Sequence, residues 1–382
     1  MTFGTPPEPP EPAEPPEPPP LIPPLAGPAP VAPLAAELTA TGLPRVPTMP
    51  GAIATIGRGL DLNVAARSIL RRASLYTGLL TLLAAGPPIA TAWAFSIQQG
   101  GLDWLAQLMA TGVSPHLRAG SAFASFASIT FLLSAGCLFA IWLDAQLLAL
   151  TFIGGEATGR TFTLRSALVI ARSRYWRLVR ASLLVGLIQL IPRIVLQALL
   201  TGQTVGSETQ VLIVTIVDLL LAAPFAYIGA GIVLGDVGAQ EAVRRSWRLA
   251  QARWRLAFVV AIVTTAVAYL AAFALGAGLD ILLRLGGAVG LDGTIGPSQS
   301  VVLAVILVLA IVSIGSLVMT IDGLTVGPQV VAFLGLTGFS SGLDEGANAL
   351  APPRPTRLIS WPMRIALGLN ALAAGIAVYN TL

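Results

Sequence analysis

Six apolar runs, at 74–96, 121–150, 178–200, 210–235, 256–276 and 300–322, dominate the alternation of hydrophobic and polar positions along the chain. A hydrocarbon core of about 30 Å takes roughly 20 apolar residues in an α-helix. The runs are continuous rather than alternating, which fits helices and excludes the strands of a barrel. A seventh stretch, 363–380, is shorter and carries Arg364 at its start, so it either spans the membrane or lies in its interface. The pattern predicts an all-α polytopic transmembrane helical bundle of six spans, or seven if the last stretch crosses.

The polar intervals repeat as well. An Arg-Ser pair occurs in three of them, at Arg67 and Ser68, Arg165 and Ser166, and Arg245 and Ser246, each ahead of two apolar runs. Each interval reads as an amphipathic helix on the membrane surface that leads into a transmembrane hairpin. In the third, Val243, Trp247, Ala250 and Trp254 form one apolar stripe, while Arg244, Arg248, Gln251 and Arg255 keep the same rhythm on another face. In the second, Arg165 matches Arg245 at an offset of 80 and Trp176 with Arg177 matches Trp254 with Arg255 at 78, so the repeat needs a two-residue gap. The first is weaker, with Ile53, Ile56, Leu60 and Val64 as its stripe and no tryptophan before the span. Indole rings suit the headgroup region and guanidinium groups pair with phosphate. Arg165, Arg177, Arg245, Arg248 and Arg255, with Trp176, Trp247 and Trp254, are therefore the candidate headgroup contacts.

Charge fixes the expected orientation. All 22 basic residues are arginine, and nineteen fall before the first run, at 160–180, at 244–255 or at 354–364. Arg118 and Arg284 fall in the opposite loops and Arg193 inside a run. By the positive-inside rule the N-terminus and the repeat helices are cytoplasmic. The basic balance is thus a topology signal, and no nucleic-acid partner is expected. Residues 1–50 read as a disordered acidic proline-rich tail: Glu8, Glu11, Glu14 and Glu17 recur every third position among prolines, on one edge of a polyproline II helix. The tail is either a spacer or, through Pro6 to Pro20, a docking segment for a protein partner. Its start lacks the basic residues and cleavage pattern of a secretory leader, and the mature chain is expected to keep it. With Cys137 as the single cysteine, no intrachain disulfide or cysteine metal cluster can form.

The run Gly235 to Val260, with its Glu-Ala pair, Arg245, Ser246 and Trp247, and an aromatic restart at Trp254, resembles the signature of a bacterial integral-membrane family that includes the membrane domain of glycerophosphoryl diester phosphodiesterases. The resemblance covers roughly 51–346. It implies three helical hairpins with cytoplasmic connecting helices in a bacterial inner membrane; this bounds a membrane domain 51–346, and outside the resemblance lie the tail 1–50 and a linker with hydrophobic segment 347–382. It implies no phosphodiesterase activity, because that belongs to a separate soluble domain which nothing here matches. The acidic and aromatic close of the family pattern is only loosely present, as Phe339, Asp344 and Glu345.

Catalytic chemistry finds little material. Metal-dependent hydrolysis needs clustered His, Asp and Glu ligands, and the one histidine, His116, falls in an external loop. No cofactor is expected. The intramembrane charges Asp144, Arg193, Asp218 and Asp322 are costly in lipid, at least about 2.5 kcal/mol each on insertion scales. Arg193 and Asp218 fall at equal depth about a turn near residue 205, which predicts an ion pair. Asp144 and Asp322 lack the sequence contexts of an intramembrane aspartyl protease. A non-catalytic role in membrane organisation, headgroup engagement or scaffolding is expected. The alternative is a small-molecule or ion transporter, which would require those four charges to converge on one polar cavity.

Overall fold

A computed structural model describes residues 51–99, 122–201, 207–288, 297–338, 343 and 358–379. The proline-rich tail, His116, Arg118, Phe339, Asp344, Glu345 and the side chain of Arg284 lie outside them. The described residues are helical and contain no strand. The helices are α1 (Ala52–Ala65), α2 (Arg67–Gln99), α3 (Ala122–Ala157), α4 (Leu164–Thr201) and α5 (Ser207–Ala222). A single 3-10 turn, Ala223–Phe225, leads into α6 (Ile228–Val233), followed by α7 (Ala239–Ala252), α8 (Trp254–Ala288), α9 (Pro297–Thr337) and α10 (Trp361–Tyr379). Seven stretches are long and apolar enough to cross a membrane, within α2, α3, α4, α5 with α6, α8, α9 and α10. The last is the stretch whose role the sequence left open.

Helices in lipid gain little from burying apolar surface against one another, so they pack where small residues let backbones approach. α2 and α9 meet in this way. A Cβ on Gly78 would stand 2.7 Å from the Val312 carbonyl oxygen, and one on Gly315 would stand 2.7 Å from the Gly78 Cα. Hydroxyls add polar ties across the same seam: Thr77 donates to the Gly315 carbonyl at 3.1 Å and Ser74 to that of Ser316 at 3.4 Å. α1 lies on the later part of α9 through a second close approach, where a Cβ on Gly59 would be 2.5 Å from the Pro328 nitrogen. Asn63 fastens that contact by donating to the Gly323 carbonyl at 2.7 Å.

The apolar stripe of α1 faces away from this contact. Thr55 and Gly59 are buried, whereas Ile53 is 87% exposed and Leu60 and Val64 are exposed too. An apolar face turned away from the protein suits a helix bedded in the bilayer surface.

The three repeats are not built alike. The first and third break between surface helix and span, at Ala66 and at Arg253, whose φ of −139° and ψ of 58° leave the helical region. The second does not break, and α4 runs unbroken from Leu164 to Thr201. Its continuity has a use: Arg174 and Arg177, three residues apart on one face, both reach Asp236, at 3.1 and 2.5 Å. Arg174 is buried and also donates to the carbonyls of Ile232 and Val233, at 2.9 and 3.1 Å. Those carbonyls end α6 and have no helical donor of their own, so the guanidinium closes the helix that Asp236, at φ 48°, turns away from.

The Arg-Ser pairs part company as well. Ser246 is buried, donates to the Pro224 carbonyl at 2.8 Å and accepts from the Tyr227 N–H at 3.2 Å. It therefore mends the backbone where Pro224 interrupts the fourth span. Ser166 bonds with Thr163 in the first turn of α4, and Ser68 is exposed in the first turn of α2. Pro328, by contrast, sits inside α9 without ending it.

The largest buried cluster draws on Leu143–Ile153 of α3, Ala167–Ala181 of α4, the whole of α6, and Met319–Phe333 of α9. It sits at the end of the bundle where the arginines gather. Toward the other end α4 is clad in exposed side chains, among them Leu187, Ile191, Ile194 and Leu199.

Candidate functional site

Three arrangements bear on function, and the first is a band of cations and indoles at the arginine-rich end. Trp176, Trp247 and Trp254 are 67%, 45% and 44% exposed, and Arg165, Arg248 and Arg255 are exposed as well. The single stripe expected of the third repeat divides, within α7 as well as at the turn of Arg253. Ala250 is buried and Val243 half-buried, while the two tryptophans face outward. Arg177 and Arg245 do more than face outward. Arg177 is paired with Asp236, and the Arg245 guanidinium stands 5.8 Å from the centre of the Phe333 ring, in the range of a cation–π contact. A shallow cleft of about 680 Å³ opens between Arg180 and Arg244, beside the first turn of α7, and Glu241 of that turn lines it too. Leu183, Leu184 and Leu187 carry its floor away along α4. Periodicity could not have found this cleft, since it joins two repeats.

The second arrangement is an amphipathic pocket of about 450 Å³ among α2, α3, α4 and α10. Its polar end is made by Tyr76, Asp144, Arg172, Tyr175, Trp176 and Ser360, and its apolar wall by Leu80, Leu133, Cys137, Met363 and their neighbours. Tyr76 donates its hydroxyl to the Leu358 carbonyl at 2.7 Å, and Arg172 donates to the same oxygen. The segment leading into α10 is thereby tied to α2 and α4 at once. Deeper in, Pro88 has no N–H to offer the carbonyl of Ala84, four residues before it. Ser134 and Asn370 supply donors instead, at 2.7 and 3.1 Å, and Asn370 also donates to Ser134 at 2.8 Å. From Leu358 beside Tyr76 to Asn370 beside Ala84, α10 runs parallel to α2, from the arginine-rich end into the bundle. At 1.5 Å per residue its 19 residues reach about 28 Å.

The third is a cavity of about 430 Å³ among α3, α4, α8, α9 and the turn at Pro224. Gln146, Ser182, Gln189, Thr264, Thr265 and Gln329 give it polar walls, and no charged side chain lines it.

The four intramembrane charges are scattered. Arg193 donates to Asp218 at 2.8 Å, and both side chains are substantially exposed on the outer parts of α4 and α5. Asp144 belongs to the amphipathic pocket, and Asp322 is buried in α9. None lines the uncharged cavity. Among the described residues no group of three or more His, Cys, Asp or Glu side chains could hold a metal ion. Comparison with known proteins finds no matching family model, no similar curated protein and no similar solved structure.

Proposed function

We propose that this is a non-catalytic membrane-organising protein of a bacterial inner membrane, whose arginine-rich end faces the cytoplasm and engages lipid headgroups. The observation that carries this reading is that Trp176, Trp247 and Trp254 and Arg165, Arg248 and Arg255 are all exposed on the arginine-rich stretches of α4, α7 and α8. Indoles hold such a surface at headgroup depth, and guanidinium groups bind phosphate oxygens in pairs. The cleft lined by Arg180, Arg244 and Glu241, with leucines leading out of it, adds two guanidinium groups to that surface. The likeness of Gly235 to Val260 to the bacterial membrane family supports the same compartment. Transport by the four intramembrane charges is the weaker reading, because they share no cavity.

The test replaces Arg244, Arg248, Arg253 and Arg255 together by Gln, sparing Arg245 for its contact with Phe333. Each cation near an anionic surface contributes about 1 kcal/mol. Retention of phosphatidylglycerol and cardiolipin by the purified protein, counted by native mass spectrometry, should fall at least about tenfold. Unchanged retention would overturn headgroup engagement.

A further inference from the structure

The uncharged cavity beside the turn at Pro224 is lined by three amides, Gln146, Gln189 and Gln329, and three hydroxyls, Ser182, Thr264 and Thr265. Most of their hydrogen-bonding capacity is unspent. Gln189 donates to the Leu221 carbonyl at 3.0 Å, and Gln329 to the Thr264 hydroxyl at 3.5 Å. Among the described residues, Gln146, Ser182 and Thr265 make no hydrogen bond within the protein. Each amide brings two N–H donors and an accepting oxygen, and each hydroxyl both donates and accepts. Gln329 is buried, with 8% of its surface exposed, so its remaining groups are met from within the cavity or not at all.

Such walls select a ligand by exclusion. An ion would find no opposite charge among the side chains that line the cavity, and burying a charge unpaired is costly. A quinone carries acceptors and would leave the amide oxygens unmet. A diacylglycerol offers one hydroxyl. A sugar presents several hydroxyls, each able to donate and to accept, on a ring whose C–H groups suit aromatic walls, here Trp142 and Phe225. At about 430 Å³ the space lies within the ordinary range of small-molecule sites.

The way in is from the bilayer. Trp142, on the span of α3, is 46% exposed, and Ser182 and Gly186, on that of α4, are exposed as well. Ser182 follows Arg180 by two residues, next to the headgroup level of the arginine-rich end. Gln189 lies seven residues farther along α4, about 10 Å deeper at 1.5 Å per residue. A polar group held between them sits below the headgroups and is reached through lipid, as one carried on a lipid would be.

We infer that this cavity binds the uncharged, hexose-sized sugar head of a membrane glycolipid, its hydroxyls on the three glutamines, Ser182, Thr264 and Thr265, and its chains in the surrounding bilayer. The site is independent of the arginine surface, since none of the arginines and tryptophans that carry the headgroup reading lines it except through the shared span α4.

The full chain is exchanged into phosphatidylglycerol nanodiscs doped with equal small amounts of monoglucosyldiacylglycerol, diacylglycerol of matched chains, and ubiquinone, and is released for native mass spectrometry. Wild type should retain one glucolipid about tenfold over either competitor. Gly186→Leu fills the mouth from a position where an added Cβ meets nothing within 4 Å, so it should fold and lose the retained glucolipid. Gln146→Leu removes an amide without an internal hydrogen bond; its thermal unfolding should match wild type while its preference for the glucolipid falls severalfold.

Equal retention of diacylglycerol or ubiquinone by wild type, the result of a cavity that holds water alone, would overturn the site, as would unchanged retention in both variants. Methyl glucoside at millimolar concentration separates two sources of the same chemistry. Displacement of the glucolipid supports the site with a free sugar as ligand, and no displacement supports it with a lipid-borne one. The variant in which Arg244, Arg248, Arg253 and Arg255 are replaced by Gln should keep the glucolipid; its loss there would assign it to the surface and overturn the cavity site.

Discussion

Ser246 illustrates how much one hydroxyl carries in a bundle with few strong contacts. It accepts the Tyr227 N–H and donates to the Pro224 carbonyl, both left over where the fourth span breaks. Ser246→Ala should destabilise the protein by about 1–3 kcal/mol, the cost of leaving buried backbone groups unsatisfied. Unfolding in mixed micelles would measure it, and Ser68→Ala, at an exposed position, should be near neutral. Arg193 and Asp218 pose the complementary case. Removing either one by substitution with Leu strands a charge in lipid at a cost of at least about 2.5 kcal/mol. The double substitution Arg193→Leu with Asp218→Leu should recover most of that loss in the same assay. Their pairing was legible in the sequence because depth can be counted from a turn. The role of Ser246 was not, because the Arg-Ser pattern suggested equivalence among serines whose surroundings differ.

At the scale of elements, the spans were readable and their joints were not. Apolar runs of about 20 residues announce themselves, and the stretch at 363–380 is resolved as α10 by its length, its composition and the Asn370 node. Whether a surface helix continues into its span depends on tertiary demands such as the grip of Arg174 on the end of α6, which no local pattern encodes. The stripe on α1 was visible as periodicity, yet the face packed against α9 is the one with Thr55 and Gly59. Small residues, silent in a hydrophobicity pattern, choose the packed face. Gly78→Leu should therefore disrupt the α2–α9 crossing by about 3 kcal/mol or more, while Gly86→Leu on the same helix, with nothing near its Cβ, should be tolerated. Thermal unfolding of the two variants in one detergent distinguishes them.

Across the whole molecule the packing is lopsided. Buried side chains gather at the arginine-rich end, and the outer turns of α4 are surrounded by little protein. Those turns lie in a span, so their exposed leucines and isoleucines face lipid, where an opened backbone would leave polar groups unsatisfied. Amide exchange from Leu187 to Leu199 should therefore be slow in nanodiscs, and in mild detergent it should quicken more than exchange through Ala167 to Ala181. Fast exchange of the outer amides in nanodiscs would show that this part of α4 leaves the bilayer. The site residues divide along the same line. That Trp176, Trp247 and Trp254 and Arg165, Arg248 and Arg255 are exposed was legible because helix faces are written in local sequence, whereas the pocket, assembled from four helices far apart in the chain, could not be read from any one of them.

The parallel course of α10 beside α2 also sets an order of assembly. The carbonyl of Ala84 and the hydroxyl of Ser134 enter the membrane during synthesis well before Asn370 exists to join them. Until then one wall of the amphipathic pocket is lipid alone. The nascent bundle therefore passes through a stage open along that side, which only the arrival of α10 closes.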